Sequence, residues 1–134
     1  MQSEERQRLS AALSEGASQL PLAFSPEVLD KLLDYLALLQ KWNSVYNLTA
    51  VRDLSQMLTQ HLLDCMAALP ALVHAQRLLD AGSGGGLPGM VIAIWAQQNA
   101  SNMQVHLIDT VHKKTAFLTQ VKAELGLHNV TVHT

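Results

Sequence analysis

Between Ser25 and about Ser44, apolar side chains return every three or four residues: Leu29, Leu32, Leu33, Leu36, Leu39 and Trp42. That interval lines them up on one stripe of an α-helix. Ser25 and Pro26 start it, the serine as a cap and the proline in the first turn, where a missing N–H costs nothing. Glu4 to about Ser18 carries a shorter version of the pattern and predicts an amphipathic helix, with Gly16 near its end. Asp53 caps a third helix in which Leu54, Met57, Leu58, Leu62, Cys65 and Leu69 share a face, and Pro70 marks its stop. Residues 1–72 therefore read as a helical region.

After Pro70 the period changes. Arg77 to Asp80 is a brief apolar run ending in an acid, which predicts a buried strand. Pro88 to about Gln98 is an apolar helix, Val105 to Asp109 a second strand, Lys113 to Leu125 a helix closed by Gly126, and Val130 to Val132 a third strand. Strand, helix, strand, helix, strand over residues 73–134 is half of a doubly wound parallel sheet. The predicted class is α/β: a helical N-terminal region, then the first half of a Rossmann-like fold with three parallel strands and intervening helices. Trp42 and Trp95 fall on apolar helical faces and are assigned to the core.

The chain has 134 residues, enough to bury a core without staples. Cys65 is the single cysteine, so no intrachain disulfide can form, which suits a reducing compartment. The opening residues lack a signal-peptide pattern, and the longest apolar stretch, around Met90 to Ala96, is too short to span a membrane. A soluble cytoplasmic protein is expected. Nine basic against eleven acidic side chains give a formal charge of −2, so no global field draws it to nucleic acid and any attraction must be local. His74, His106, His128 and His133 have no ligand spacing, and no metal site is predicted.

The chemistry concentrates in "LLDAGSGGGLPGM", residues 78–90. Glycines between a strand and a helix let the backbone turn tightly and let a ligand approach main-chain N–H groups. A nucleoside-triphosphate loop needs Gly-Lys-Ser/Thr at the helix start, but Leu87, Pro88 and Gly89 come after Gly86. A nicotinamide fingerprint counted from Gly82 and Gly84 puts Leu87 where its third glycine belongs. The motif present is Asp80-x-Gly82-x-Gly84-x-Gly86. A carboxylate two residues before the loop repels a pyrophosphate and attracts a cation, by roughly 1 kcal/mol at about 4 Å in water and several times that in a partly dry cleft. S-adenosylmethionine, with an ammonium and a sulfonium, fits that demand. Asp109, ending the second strand, is placed to accept hydrogen bonds from two ribose hydroxyls.

Four stretches resemble a known family, the bacterial 16S rRNA guanine-N7 methyltransferases of the RsmG kind, also called glucose-inhibited division protein B. They are "KWNSVYNLTAVRD" at 41–53, "HLLDC" at 61–65, "LLDAGSGGGLPG" at 78–89 and "LIDTVHKKTAFL" at 107–118. The likeness runs from about Ser25 to the last residue. It implies a class I methyltransferase fold, S-adenosylmethionine as cofactor, and methyl transfer to N7 of a guanine in the 530 loop of 16S rRNA, with that RNA or the small ribosomal subunit as partner. Members continue through further strands that complete the adenine contacts and most of the guanine-facing site, so this chain corresponds to a C-terminally truncated member. On the family pattern Gly82 and Leu87 match cofactor-binding positions, with Asp80, Gly84, Gly86 and Asp109 beside them. Guanine N7 offers an in-plane lone pair, so no proton has to be removed, and alignment with the methyl group can supply much of the catalysis.

Asn47 and His61 match family motif positions in the helical region and, with Lys113 and Lys114 at a helix start, are the substrate-side candidates. The competing reading makes Asn47 and Thr49 turn residues, His61 a satisfied half-buried ring, and the lysines a solvated helix end. Two other classes stay open: a nicotinamide-dependent oxidoreductase half-domain, disfavoured by glycine spacing and Asp80, and a non-catalytic binding or self-association fragment. With no strand beyond it, the first strand becomes an open edge. It is expected to pair with another copy, to be covered by the helical region, or to aggregate.

Overall fold

The structure is a computed structural model that describes residues 1–99 and 102–134. Ser25 caps the longest helix, α2 (Pro26–Tyr46), accepting the Val28 N–H on its hydroxyl at 3.2 Å. The stripe expected on α2 is buried at Leu32, Leu33, Leu36 and Leu39, flanked by half-buried Leu29 and Trp42. Tyr35 and Asn43, which an apolar count passes over, are buried with it. The helix ends at Asn47, whose left-handed backbone (φ 53°) returns its N–H to Asn43. Helix α1 (Ser3–Ser18) lays Leu9, Leu13 and Ala17 against this layer.

The third predicted helix is not uniform. It consists of α3 (Leu54–Met57), capped by Asp53, a π-helical stretch (Leu58–Leu63), α4 (Asp64–Ala68) and a 3-10 turn (Leu69–Ala71). A π-turn takes in an extra residue and rotates the helix beyond it. Past the stretch Met66 and Leu69 are buried, Leu69 as expected, whereas Cys65, also expected on the core face, is half-buried.

Three parallel strands come next, in the order β1 (Arg77–Ala81), β2 (Gln104–Ile108), β3 (Val130–His133). Leu78 pairs with Val105, Asp80 with Leu107, and Val105 with Val130. The crossovers are α5 (Gly89–Asn99) and α6 (His112–Leu125), the latter closed by Gly126. Along α5 every residue from Gly89 to Ala96 is buried, because the helix lies between the sheet and helices α2 and α4. Trp95 is buried as expected.

Side chains alternate along a strand. Leu78, Val105, Leu107, Val130 and Val132 therefore join the helical core, whereas Arg77, Leu79, His106, Ile108 and His133 lie on the other face. That second face is bare, and Leu79 is 67% exposed. The helical region does not cover it. His106 and His133 stack there, with ring nitrogens 2.9 Å apart. Among the described residues no helix is long and apolar enough to cross a membrane.

Ser25→Ala removes the cap on α2 without touching the core. It is expected to lower stability by about 1 kcal/mol, read as a lower urea midpoint at unchanged slope.

Candidate functional site

The loop between β1 and α5 is held by its own neighbours before any ligand is considered. The Gly82 and Ser83 N–H groups both donate to the Ile108 carbonyl, at 2.8 and 3.0 Å, which ties the end of β1 to the end of β2. Ser83, 2% exposed, donates its hydroxyl to the Asp80 carbonyl at 2.6 Å and accepts the Ile108 N–H at 3.1 Å. The Gly86 N–H returns to Ser83, and Met90 N–H bonds the Gly86 carbonyl as α5 begins. Leu87 is half-buried against the core beneath this turn.

The glycines divide into two kinds. Gly82 and Gly84 have φ of +73° and +54°, and a Cβ at either would meet nothing within 4 Å. This side of the loop is open to a ligand. Gly89 is the opposite case: a Cβ there would overlap Leu107 Cδ2 and lie 2.7 Å from Asp80 Oδ2. Only glycine lets the helix start sit against the strand. Sequence reasoning did not single out Ser83 or Gly89 as site residues. Their signal was the close-set run of small residues itself.

The two acids are in different situations. Asp80 Oδ2 accepts the Gly89 N–H at 3.0 Å. Burial pushes its carboxyl up, and this one hydrogen bond only partly opposes that. Asp109 is 9% exposed and uses both oxygens, Oδ1 for the Val111 N–H and Oδ2 for the Gly84 N–H, each at 2.9 Å. The Val111 and Gly84 amides hold its carboxyl below the ordinary range against some burial, and the Lys114 charge adds to them. Asp109 thus pins Gly84 in addition to facing the loop.

Asp80, Gly82, Gly84, Gly86, Leu87, Asp109 and Lys114 come together around this turn, while Lys113 is exposed at the start of α6. Asn47 and His61 belong to a second network. Asn43 accepts the Thr49 N–H at 2.8 Å and donates to the Val51 carbonyl at 3.2 Å, folding residues 47–51 back on α2. Thr49 Oγ1 accepts the Val51 N–H at 3.2 Å and lies 2.9 Å from His61 Nε2. Burial lowers the His61 pKa, opposed first by a hydrogen bond with the Gln60 backbone and then by the charge of Asp64. Asn47 accepts from the Arg52 guanidinium. Among the described residues no hydrogen bond joins this network to the glycine loop. The two approach each other at Cys65, whose thiol is pushed up to about 11 by burial and then by the charges of Asp64 and Asp80.

Comparison with known proteins gives a consistent result. The family model described as "GidB: rRNA small subunit methyltransferase G" matches residues 28–134. The chain is similar to "Ribosomal RNA small subunit methyltransferase G" of Herminiimonas arsenicoxydans, 63% identical over 134 residues, covering all of this chain and 62% of that protein. It is 59% identical to the protein of that name from Janthinobacterium sp. (strain Marseille), over all of this chain and 61% of the relative. With that of Cupriavidus necator the identity is 48% over 140 residues, covering 96% of this chain and 57% of the relative. The chain thus spans about three-fifths of the length of the curated relatives it matches.

Gly89→Ala is expected to destabilise the fold by roughly 1–3 kcal/mol, because its neighbours are a strand side chain and a carboxylate rather than a free chain end. Asp109→Asn tests the lowered carboxyl. A depressed folded pKa contributes stability that is complete above the unfolded value, about 4, and is lost as pH falls through the folded one. Wild type should therefore exceed Asp109→Asn in stability at pH 7, with the gap closing below pH 4 in urea titrations.

Proposed function

The chain belongs to the rRNA small subunit methyltransferase G family, and on that premise we propose that its glycine loop binds S-adenosylmethionine. The whole protein transfers the methyl group to N7 of a guanine in the 530 loop of 16S rRNA. One observation carries the cofactor assignment: the Asp80 carboxylate already occupies the Gly89 N–H at the start of α5. An incoming pyrophosphate needs such helix-start amides and would meet a negative charge there instead. A cationic cofactor meets an acid whose desolvation it relieves.

The residues present fit that group. Gly82 and Gly84 leave open space above the loop, Asp80 faces it as the anion, and Asp109 has lone pairs left for hydroxyl donors after its two backbone contacts. When bound, the cofactor supplies an electrophilic methyl group. The chain's own part is to hold and orient it. An acceptor such as guanine N7 brings its own lone pair, so neither His61 nor Cys65 is needed as a base. Lys113 and Lys114 at the start of α6, with Asn47 and His61 beyond Cys65, are the side from which RNA approaches. A cytoplasmic location goes with that substrate.

The bare sheet face favours a second property for this chain by itself. Leu79 is exposed on β1, which pairs only with β2 among the described residues. An unpaired apolar edge is a template for another copy. Sedimentation velocity is expected to show concentration-dependent association that Leu79→Lys abolishes. A wild-type monomer at every concentration would sink this property.

Isothermal titration with S-adenosylmethionine, and with NAD in parallel, tests the cofactor. Saturable binding of the first and none of the second is expected; the reverse overturns the reading in favour of a nicotinamide half-domain. Asp80→Asn gives the sharper outcome. A raised folded pKa means the ionised form opposes folding at pH 7, so removing the charge leaves stability equal or higher on that account. The same change should weaken S-adenosylmethionine about tenfold.

A further inference from the structure

We infer that Tyr35, in the middle of α2, is a positioning residue that holds the glycine loop in its ligand-ready shape, a reading that rests on the methyl-donor site proposed above. Tyr35 is fully buried, and its hydroxyl donates to the Gly85 carbonyl at 2.5 Å, across fifty residues of chain. A buried phenol requires an acceptor. This one takes it from the loop.

The geometry gives that bond a specific task. Gly85 lies between Gly84 and Gly86, both with positive φ, and a run of such residues can flip its peptide units at little steric cost. The Gly85 carbonyl and the Gly86 N–H belong to one rigid peptide plane. Tyr35 holds the carbonyl side of that plane, and the Ser83 carbonyl holds its N–H side at 2.8 Å. The Ser83–Gly84 peptide, on the other side of the Gly84–Gly85 peptide, is pinned by Asp109 through the Gly84 N–H. The two peptides flanking the Gly84–Gly85 unit are thus fixed from opposite sides of the fold, one from the residue after β2 and one from α2. Leu39, one turn along α2, closes on Gly85, where a Cβ would come within 3.2 Å of its Cδ1. The helical region is therefore a wall of the cofactor site.

Tyr35→Phe keeps the ring and removes only the donor. Backbone amide exchange, followed by NMR on the 134-residue chain, should speed roughly tenfold for Gly84 to Leu87 while β2 amides are unchanged. Affinity for S-adenosylmethionine should fall roughly five- to tenfold. Leu13→Ala, a cavity in α1 away from the loop, is the control: it should cost at least as much thermal stability yet leave loop exchange and affinity as in wild type. Loop exchange unaltered by Tyr35→Phe, or accelerated equally throughout the chain, overturns the proposal. If wild type binds no S-adenosylmethionine, the methyl-donor reading falls and the exchange comparison still decides the role of Tyr35. In wild type the Tyr35 hydroxyl proton should be a slowly exchanging resonance, and a rapidly exchanging one refutes the clamp without any variant.

Discussion

The close seating of α5 on the end of β1 is the constraint that shapes everything around the loop. At Gly89 the helix backbone approaches Leu107 and Asp80 so closely that no side chain fits. That approach brings the first helical N–H onto the Asp80 carboxylate. It also forces the preceding residues to turn back sharply, which is why residues with positive φ gather there. The turn would be loose if glycines alone formed it. Ser83 stitches it to both strands, Asp109 fixes Gly84, and α2 supports it from beneath.

Much of this was legible in the sequence because periodicity and capping are local signals. Ser25 and Pro26 fixed the start of α2, the Leu32 to Leu39 stripe its buried face, and the shift to short apolar runs the three strands. The acid and the alternate glycines pointed to the loop between β1 and α5 that is proposed as the site. What escaped depends on distant parts of the chain. The apolar stripe of α2 named neither Tyr35 nor Asn43, because their acceptors and donors, Gly85, Thr49 and Val51, come from elsewhere. The π-helical stretch escaped because Cys65 and Met66 are both acceptable core residues, and the choice between them is made by packing of that stretch on α1 and of α4 on α5. The second face of the sheet was legible and passed over: Arg77, His106 and His133 alternate with apolar residues as in a half-exposed strand, whereas the short apolar run had read as a buried one.

That asymmetry matters physically. A parallel sheet is ordinarily covered on both faces. Here α1, α2, α5 and α6 all contribute to one continuous buried cluster on a single side. The helical region and the sheet cannot be separated without opening that cluster, because α2 packs on both α5 and α6. The loop is therefore seated on that one buried cluster.

The two carboxylates show how one turn can contain acids of different disposition. Both stand at strand ends and both accept backbone N–H groups. Their surroundings separate them. Asp109 has two amide donors and Lys114 nearby, and its ionised form is already stabilised by the fold. Asp80 has one donor and a burial cost that this donor does not cancel. A positive charge arriving at the loop gains more by neutralising the poorly compensated anion than by joining a satisfied one. On the proposed reading, the ammonium or sulfonium of the methyl donor would be drawn to the β1 side, and neutral hydroxyl donors would be left the remaining lone pairs of Asp109. Charge-seeking and hydrogen-bond-accepting roles are set by how many N–H groups each acid has already been given.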